Sequence, residues 1–543
     1  MKRIILLSCL AFSISAGAST TWTLKGEKYV VDTLQHYRVG PGTTMTIIDL
    51  SGSARQRVWY TVTDLEAPNV EIRTISGKND LRNRVTVPEM VETYGDDSYV
   101  YFAGVNSDLF SNTGPIGSTI LQGEIYKTAK ASTEWHAAAY DQSDGCLYFG
   151  LPSIGFGAKL NGVMEYAPSL VNVPRGAGEC IIYTRRWGTS TETEAGADGI
   201  EIVLRPQNGV MNSTGATECV VESAPEINKG NAAIPEGCIV LSSNIKDQIR
   251  DLALMKPGDK YTITQVAFNL RGSGFGVNHI MGEVNEMSGG EPLLLEDGQK
   301  QKGYATMPNY ETRRPRTAIG TDASHKKMFL LVVDGDAFNE GISDGVDAQD
   351  LVDMMLAIGC TDALNFDGGG SSTMYTDAFG VLNRPSDGNL RKVLNGWYLA
   401  TPKTGDMAVI DIAFADPHKA LAIGDTYTPV IYGYNAAGLL VDPNVSDFTL
   451  VAPSDLGTVS GDGKTLTVTG NGTFPLEARA NGTTCTIAVR AGSGQSSVDN
   501  VIAGAENSVK YYNLQGHEIK NPTNGLYIRT LNGKTEKILI QNN

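Results

Sequence analysis

Histidine and cysteine are scarce in this chain of 543 residues, which contains six histidines and seven cysteines. The histidines are scattered and no two cysteines have a CxxC spacing, so the sequence predicts no metal site and no cofactor. Basic residues are also few, since 44 Lys and Arg against 60 Asp and Glu leave a formal net charge of −16. This balance argues against nucleic acid as a partner, and an anionic substrate would need a local basic cluster.

Long apolar runs are absent as well, because no segment reaches the roughly 18 apolar residues of a transmembrane helix. The N-terminal run Ile4 to Ile14 is shorter, follows Lys2-Arg3 and is followed by Ala16-Gly17-Ala18. These features predict a signal peptide over residues 1–18 and an exported protein that is periplasmic, on the cell surface or secreted. The alternative is a lipid anchor on Cys9, although its lipoprotein-like box comes too early in the apolar run.

Glycine and proline are frequent, with 61 and 22 residues, and predict many turns and more strands than helices. We expect a large domain at residues 19–402, an immunoglobulin-like β-sandwich at 403–492, a linker at 493–505 and a β tail at 506–543. The tail resembles those of proteins exported by Bacteroidetes, which implies a Gram-negative source and a sorting role. In the exported chain, Cys219 and Cys238 are the pair that we expect to form a disulfide.

The stretch from Asn365 to Tyr375 concentrates chemical groups, with one acid, three glycines and three Ser or Thr residues. Each glycine destabilises a helix or strand by roughly 0.5–1 kcal/mol, so three in a row favour a sharp turn whose N–H groups converge on an anion. Ser371, Ser372 and Thr373 would add short donors, and Asp367 would stand at the rim. The alternative is a plain surface turn.

The preceding segment predicts a strand, a helix and a second strand. Met328 to Val333 is apolar and ends on Asp334, while Asp347 favours a helix start and Gly359 a helix end. A strand, a helix and a strand within about forty residues predict a βαβ unit with two parallel strands. The expected fold class is therefore α+β, with a mixed sheet that contains this unit.

Parallel strands end at the same edge of a sheet, so Asp334 and Asp367 are expected to face one crevice. Two carboxylates that flank a glycosidic bond can supply the acid and the base or nucleophile of glycoside cleavage. Arginines lie on both sides of the unit, with Arg316 before it and Arg384 and Arg391 after it. Because arginine binds phosphate through paired hydrogen bonds, this set suits a sugar phosphodiester.

Four motifs, in this order, carry a resemblance to a known family: Gly104 to Phe110, Arg314 to Gly320, Asp362 to Met374 and Asn383 to Gly388. Together they resemble the phosphodiester glycosidase family, roughly over residues 28–400. The resemblance implies hydrolysis of the bond between a sugar's anomeric carbon and a phosphodiester oxygen. Where the family usually has Asn-Gly-Gly-Phe-Phe, this chain has Asn106-Ser107-Asp108-Leu109-Phe110. Asp108 therefore adds a carboxylate, and the resemblance does not specify which sugar is recognised.

The candidate catalytic residues are Asp367 and Asp334, with Asp108 as a third carboxylate. The residues expected to hold phosphate and sugar are Asn106, Arg316, Thr317, Gly368, Gly369, Gly370, Ser371, Ser372, Thr373, Asn383, Arg384 and Arg391. The expected partner is a glycan or a sugar phosphodiester, bound as substrate. A non-catalytic carbohydrate-binding or adhesion protein on the same fold is the alternative.

A calcium-stabilised structural protein is a further alternative, because five acidic residues crowd one loop: Asp334, Asp336, Glu340, Asp344 and Asp347. Calcium prefers several oxygen ligands, which such a loop could supply. The spacing of these residues matches no EF-hand. We therefore expect a glycosidase site here rather than a calcium site.

Overall fold

The computed structural model describes residues 21–77, 80–130, 135–270, 278–302, 310–335, 341–416, 418–492, 510–512, 525–531 and 534–540. In this part of the chain, the α-helices are Val87–Tyr94, Lys246–Leu252 and Ala348–Ala357, and strands are far more numerous. Among these residues, no helix combines the length and apolar character needed to cross a membrane. The protein is mostly β, so the expected α+β class is wrong.

Within the described residues, a nine-stranded sheet positions much of the candidate site. Its strands, in spatial order, are Thr21–Leu24, Glu27–Gly40, Thr43–Ser51, Arg55–Asp64, Lys327–Val333, Arg316–Thr321, Asp362–Asn365, Leu293–Glu296 and Gln299–Lys300. Each neighbouring pair is antiparallel. Antiparallel pairing explains why short turns, rich in glycine, connect so many of these strands.

The predicted βαβ unit is wrong, because its two strands are not neighbours. The strand Arg316–Thr321 lies between them and pairs antiparallel with both, so that Ile319 faces Leu330 on one side and Leu364 on the other. The helix between them is confirmed at Ala348–Ala357. Since both outer strands are antiparallel to the same central strand, they still run in one direction and end at one edge of the sheet.

A larger sheet, of fourteen strands in the described part of the chain, extends beside the first. Its main path is Glu124–Lys127, Thr119–Leu121, Val284–Gly290, His136–Asp141, Cys146–Leu160, Lys260–Leu270, Gly215–Val221, Ile200–Pro206, Ile239–Ser243, Cys180–Tyr183 and Leu170–Val171. Short strands flank this path at Val163–Glu165, Glu226–Ile227 and Asn278–Met281. The segments that carry Trp135 and Gly289 reach the candidate site from this sheet.

A five-stranded sheet and a small hairpin complete the large domain as far as it is described. The sheet consists of Gly380–Val381, Met374–Thr376, Tyr99–Asn106, Asn395–Pro402 and Glu71–Ser76, and the hairpin of Phe110–Ser111 and Gly114–Pro115. Buried side chains of this sheet and of the nine-stranded sheet pack in one core that includes Trp59, Phe102, Leu330, Phe366 and Trp397. The segment after Asn106 and the glycine-rich turn after Asn365, which both carry candidate site residues, therefore emerge from a single packed core.

Residues 411–491 form a C-terminal β unit with a core of its own, which includes Ile431 and Phe474. Its strands are Asp411–Phe414, Lys419–Leu421, Thr426–Tyr427, Ile431–Tyr434, Leu440–Asp442, Thr449–Val451, Gly457–Val459, Leu466–Val468, Gly472–Ala480 and Thr483–Ala491. The immunoglobulin-like assignment and the domain boundaries stay predictions. Further on, Lys510–Tyr512, Gly525–Leu531 and Lys534–Ile540 pair antiparallel.

The expected disulfide between Cys219 and Cys238 is wrong, because both thiols are free. The strand Ile200–Pro206 separates Gly215–Val221, which carries Cys219, from Ile239–Ser243, which Cys238 precedes. Sequence spacing alone could not show this intervening strand. The predicted signal peptide, at residues 1–18, and the linker, at residues 493–505, lie outside the described residues.

Candidate active site

Asn106 joins two segments that are far apart in the sequence. Its Nδ2 donates a hydrogen bond to the main-chain oxygen of Asp367 at 2.7 Å. Its Oδ1 accepts hydrogen bonds from Oγ1 of Thr317 at 2.9 Å and from the main-chain N–H of Thr373 at 3.1 Å. Because the side chain is fully buried, these bonds have no competition from water and fix the loop of Asp367 against the strand of Asn106.

The main chain beside Asn106 strengthens the same junction. The N–H of Asp367 donates to the carbonyl of Ser107 at 2.8 Å. Oδ1 of Asn395 accepts from Oγ of Ser107 at 3.0 Å and from the N–H of Asp108 at 3.1 Å. The segment of Asp108 is therefore tied to the loop of Asp367 and to the neighbouring strand.

The carboxylate of Asp108 is buried, with 2% of the residue exposed. Its Oδ1 accepts from Nε1 of Trp135 at 2.9 Å and its Oδ2 from the N–H of Gly117 at 2.8 Å. A Cβ on Gly289 would stand 2.6 Å from Oδ2, so the lack of a side chain there is required. Burial raises the pKa of Asp108 to about 7, against the opposing effect of the two hydrogen bonds and the charge of Lys127. A carboxyl that titrates near neutral pH is suited to proton transfer.

Asp367 is half-buried at the start of the glycine-rich turn. Its Oδ2 accepts a hydrogen bond from Oγ of Ser371 at 2.6 Å. Burial raises the pKa of Asp367 above its ordinary value, opposed by the Ser371 hydroxyl, the charge of Arg391 and the N–H of Gly368. Asp367 and Asp108 also repel each other, which raises the pKa of Asp108 further.

The glycines after Asp367 meet steric requirements. Gly369 opens a short 3₁₀ turn, Gly369–Ser371, and has φ = 61°, a conformation that favours glycine. A Cβ on Gly370 would overlap the carboxylate of Asp387. A Cβ on Gly368 would stand 2.8 Å from the carbonyl oxygen of Pro315. These glycines therefore let the turn approach its neighbours closely.

Four main-chain N–H groups of this turn are bonded inside the protein. They run from Gly369 to the oxygen of Pro315 (2.9 Å), from Ser371 to that of Gly368 (3.2 Å), from Ser372 to that of Gly369 (3.2 Å) and from Thr373 to Oδ1 of Asn106 (3.1 Å). These donors do not converge on an open anion site, and their bonds fix the positions of Asp367 and Ser371. A role of Gly368 to Thr373 in holding phosphate and sugar stays a prediction.

Asp334, with 1% of the residue exposed, anchors the loop that follows Asn383. Its Oδ1 accepts from Nδ2 of Asn383 at 3.0 Å and its Oδ2 from the N–H of Arg384 at 2.8 Å. Nδ2 of Asn383 also donates to the carbonyl of Ser372 at 3.0 Å. Burial raises the pKa of Asp334 to about 6, opposed by these hydrogen bonds and by the charges of Arg57 and Arg384.

The three candidate arginines lie in different surroundings. Arg384 and Arg391 are exposed, whereas Arg316 is 4% exposed and donates to two main-chain carbonyls at 3.2 and 3.0 Å. Arg391 pairs with Asp387 at 2.7 Å, and its Nη1 donates to Oγ of Ser371 at 3.4 Å. The solvent-facing positive charge beside Asp367 therefore includes Arg391.

Five further residues lie at or beside this site, although no motif singled them out: Lys127, Trp135, His136, Glu291 and Tyr310. Nδ1 of His136 and Oε2 of Glu291 are 2.7 Å apart, and the hydroxyl of Tyr310 donates to the carbonyl of Glu291 at 2.8 Å. Trp135 stands directly before His136, the first residue of the strand His136–Asp141, and this pair was a usable signal. Nothing in the segment Glu124–Lys127 marks Lys127 as a site residue.

Tyr310 shows that the charged groups converge. Burial raises the pKa of Tyr310 to about 12. The positive charge of Arg316 opposes that rise, whereas the negative charges of Glu291, Asp367 and Asp108 add to it. One phenol therefore senses the charges of Asp108 and Asp367, and its ring lies 5.2 Å from the guanidinium of Arg316.

Among the described residues, no group of three His, Cys, Asp or Glu side chains is arranged to hold a metal ion. Asp336 and Glu340, from the acidic loop considered for calcium, lie outside those residues. Oδ2 of Asp344 accepts from the N–H of Arg55 at 2.7 Å, and Asp347 caps the helix Ala348–Ala357. The latter two carboxylates therefore have structural partners.

The fold and the site define a β-rich protein in which buried carboxylates and an arginine-bearing loop converge, a combination of groups suited to cleaving a glycosidic bond. Residues 201–400 of the chain match the model of the phosphodiester glycosidase family. The resemblance inferred from the sequence motifs is thereby confirmed. The match includes Arg316, Asp334 and Asp367, whereas Asn106 and Asp108 precede it.

Individual relatives are distant. The chain is 29% identical over 121 residues to the SPbeta prophage-derived uncharacterized protein YomE of Bacillus subtilis (strain 168), a stretch that covers 22% of this chain and 18% of YomE. A protein from Synechocystis has a TM-score of 0.50 and 16% identity, over 66% of this chain and 62% of that one. A Burkholderia pseudomallei K96243 protein has a TM-score of 0.51 and 15% identity, over 70% and 99%. These two structures share the fold.

Proposed function

We propose that this protein is an exported hydrolase that cleaves the bond between a sugar's anomeric carbon and a phosphodiester oxygen in a glycan or glycoconjugate. The family match over residues 201–400 supports the reaction class. The observation that carries the proposal is that Asp108 and Asp367 lie on two segments joined by hydrogen bonds of their neighbours and main chain, and that the pKa of each is raised. Asp108 is buried, whereas Asp367 is half-buried and bonded to the Ser371 hydroxyl. Two carboxyl groups in such different environments can serve one as an acid and the other as a base or nucleophile.

Asp108 is assigned to proton transfer, because its pKa of about 7 leaves both protonation states populated at neutral pH. Asp367 is assigned the role of the base that activates water or of the nucleophile that attacks the anomeric carbon, since Ser371 and Arg391 favour its ionised form. Asp334 is assigned to positioning, because both of its carboxylate oxygens hold the loop after Asn383. Attack on the anomeric carbon, by a water that gives its proton to Asp367 or by Asp367 itself before water hydrolyses the sugar ester, breaks the bond to the phosphodiester oxygen. The phosphate leaves as a monoester, whose new oxygen can take a proton from Asp108, and the sugar is released free.

The phosphate of the substrate is assigned to the exposed loop that carries Arg384 and Arg391. The chain has a net charge of −16, so an anionic substrate depends on this local positive charge. Arg391 is held near Asp367 through Ser371 and through its ion pair with Asp387. A phosphate that displaces Asp387 would find a guanidinium already in place.

The test is release of free sugar by the purified mature chain from hexose and N-acetylhexosamine 1-(methyl phosphate) diesters. Asp367→Asn and Asp108→Asn are each expected to lower kcat by about 10²- to 10⁴-fold, the usual contribution of one proton-transfer group. Asp447→Asn is the control, because Asp447 is an exposed carboxylate of the C-terminal β unit. Its kcat should equal that of the wild type.

Absence of turnover on every diester, together with saturable binding of one of them, would contradict the proposal and favour a carbohydrate-binding or adhesion protein. Turnover that survives in Asp367→Asn would contradict the assignment of Asp367. Binding by the Asn variants, measured by calorimetry with the same diesters, separates loss of chemistry from loss of the fold.

A further inference from the structure

Lys127 is a buried cation next to the candidate site. It ends the strand Glu124–Lys127 and is 6% exposed. Its Nζ donates to the carbonyl oxygens of Ile116 at 2.8 Å and of Gly117 at 3.3 Å. Lysine is rarely buried to this degree, because an ammonium group loses hydration, so a position of this kind calls for a specific role.

One peptide unit connects Lys127 to Asp108. The carbonyl of Ile116 and the N–H of Gly117 belong to the same planar amide. Lys127 donates to the oxygen of that amide, and the amide N–H donates to Oδ2 of Asp108 at 2.8 Å. An ammonium that withdraws electron density from the oxygen makes the N–H a stronger donor, since hydrogen bonds in a chain polarise one another.

We propose that Lys127 is a positioning residue for Asp108, which it holds and polarises through the peptide unit between Ile116 and Gly117. The inference rests on the proposed function for its catalytic meaning, whereas the coupling itself is a property of the folded chain. The close packing of Gly117 against Gly289 keeps the amide in place, because a Cβ on either glycine would meet the other's Cα at less than 3 Å.

The charges of Lys127 and Asp108 each shift the pKa of the other group. Burial lowers the pKa of Lys127 to about 8, and the charge of Asp108 opposes this fall. Burial raises the pKa of Asp108 to about 7, and the charge of Lys127 opposes this rise. Asp367 and Tyr310 face Asp108 from other segments, and Trp135 donates to its second oxygen.

The sign of the expected change follows from the charge. Loss of the ammonium removes a cation that favours the ionised form of Asp108, so the pKa of Asp108 rises further. The pH–rate limb that reports Asp108 then moves to higher pH, whether Asp108 acts as acid or as base. The polarised amide predicts that Lys127→Arg, which keeps the charge, moves this limb much less.

The test uses the indole N–H of Trp135, which donates to Oδ1 of Asp108 and therefore senses its ionisation. The full chain is labelled with ¹⁵N-tryptophan, which gives five indole signals, and Trp135→Phe identifies the relevant one. In a pH titration, Lys127→Met is expected to move the midpoint upward by about one pH unit. Lys127→Arg should move it by less than half as much, and Asp108→Asn should abolish the transition.

Lys130→Met is the matched control, three residues along the chain. Lys130 pairs with Glu179 at 3.2 Å and lies near the surface, so its removal should leave the midpoint unchanged. A midpoint in Lys127→Met equal to that of the wild type would overturn the inference. If Lys127→Met does not fold, the reciprocal measurement decides. The pKa of Lys127, read from the ¹³Cε signal of labelled lysine, must then be lower in Asp108→Asn than in the wild type, because a nearby negative charge is lost.

The two proposals fail in different ways. The indole titration needs no substrate, so an unchanged midpoint together with turnover on a sugar diester overturns the role of Lys127 alone. A shifted midpoint in a protein without turnover supports the coupling and contradicts the hydrolase. Where turnover exists, the same upward shift must appear in the pH dependence of kcat/KM.

Discussion

At the scale of single residues, adjacent serines of the glycine-rich turn differ in what they contact. Oγ of Ser371 donates to Asp367 at 2.6 Å, whereas the buried Oγ of Ser372 has no hydrogen-bond partner among the described residues. Ser371→Ala should therefore raise the pKa of Asp367, because a donor to its ionised form is lost. Ser372→Ala is the matched control and should leave that pKa unchanged.

The measurement is the pH dependence of kcat/KM for both serine variants on one diester. In Ser371→Ala the limb that reports Asp367 is expected to move to higher pH by about one unit. Equal shifts in both variants would contradict the assignment of this hydrogen bond. Removal of an unpartnered buried hydroxyl should also leave the free energy of unfolding of Ser372→Ala unchanged or slightly higher.

The sequence could reveal some of these residues and not others. Asp108, Asn106 and Asp367 stand in motifs, so their chemistry is visible without a structure. Lys127 and Tyr310 become site residues only because distant strands and loops pack together. Arg316 shows the reverse case, since its motif is evident but the fold buries its guanidinium against main-chain carbonyls.

At the scale of elements, local signals mark two of the three helices among the described residues and do not decide strand pairing. Thr86 and Asp347 cap the helices Val87–Tyr94 and Ala348–Ala357, and the helix start predicted at Asp347 is thereby confirmed. Helix caps act within one turn, whereas the neighbour of a strand is chosen by packing across the whole core. That choice places Arg316–Thr321 between the two strands of the predicted βαβ unit.

A buried carboxylate links the fourteen-stranded sheet to the five-stranded sheet. Glu286, on the strand Val284–Gly290, accepts hydrogen bonds from the N–H and hydroxyl of Thr74, on the strand Glu71–Ser76 of the five-stranded sheet. Burial raises the pKa of Glu286 to about 8. A raised folded-state pKa gives stability that is complete below the ordinary pKa of glutamate and is lost as the pH rises through 8.

Glu286→Gln does not titrate, and its amide oxygen can keep the contacts to Thr74. The free energy of unfolding of the variant, relative to the wild type, should therefore increase between pH 5 and 8, by at most about 1.4 kcal/mol per pH unit. Urea unfolding at several pH values measures this difference. Glu283→Gln, which removes an exposed carboxylate in the preceding turn, is the control. A difference independent of pH would contradict the raised pKa.

At the scale of the whole molecule, the C-terminal β unit is packed against the large domain. Three rings meet at the junction: Tyr37 lies 5.2 Å from Tyr432 and 5.8 Å from Phe379. Arg38 pairs with Asp411 at 2.7 Å and its guanidinium lies 4.0 Å from the ring of Tyr434. Because Tyr37 and Tyr432 are almost fully buried, the contact resembles a core more than a linker between independent units.

Tyr432→Ala tests whether the two units unfold together. Loss of this buried ring should lower the free energy of unfolding by about 3–5 kcal/mol, the usual cost of removing a buried aromatic side chain. Phe379, whose ring contacts Tyr432, follows the strand Met374–Thr376, and this strand continues from the glycine-rich turn that carries Asp367. Loss of the Tyr432 ring should therefore lower the activity as well as the stability. Calorimetry of the full chain is expected to show one main transition that shifts to lower temperature, whereas Tyr432→Phe, which keeps the ring, should shift it little. Two separate transitions in the wild type, of which Tyr432→Ala moves only one, would show that the C-terminal unit is an independent module and that the large domain needs no support from it.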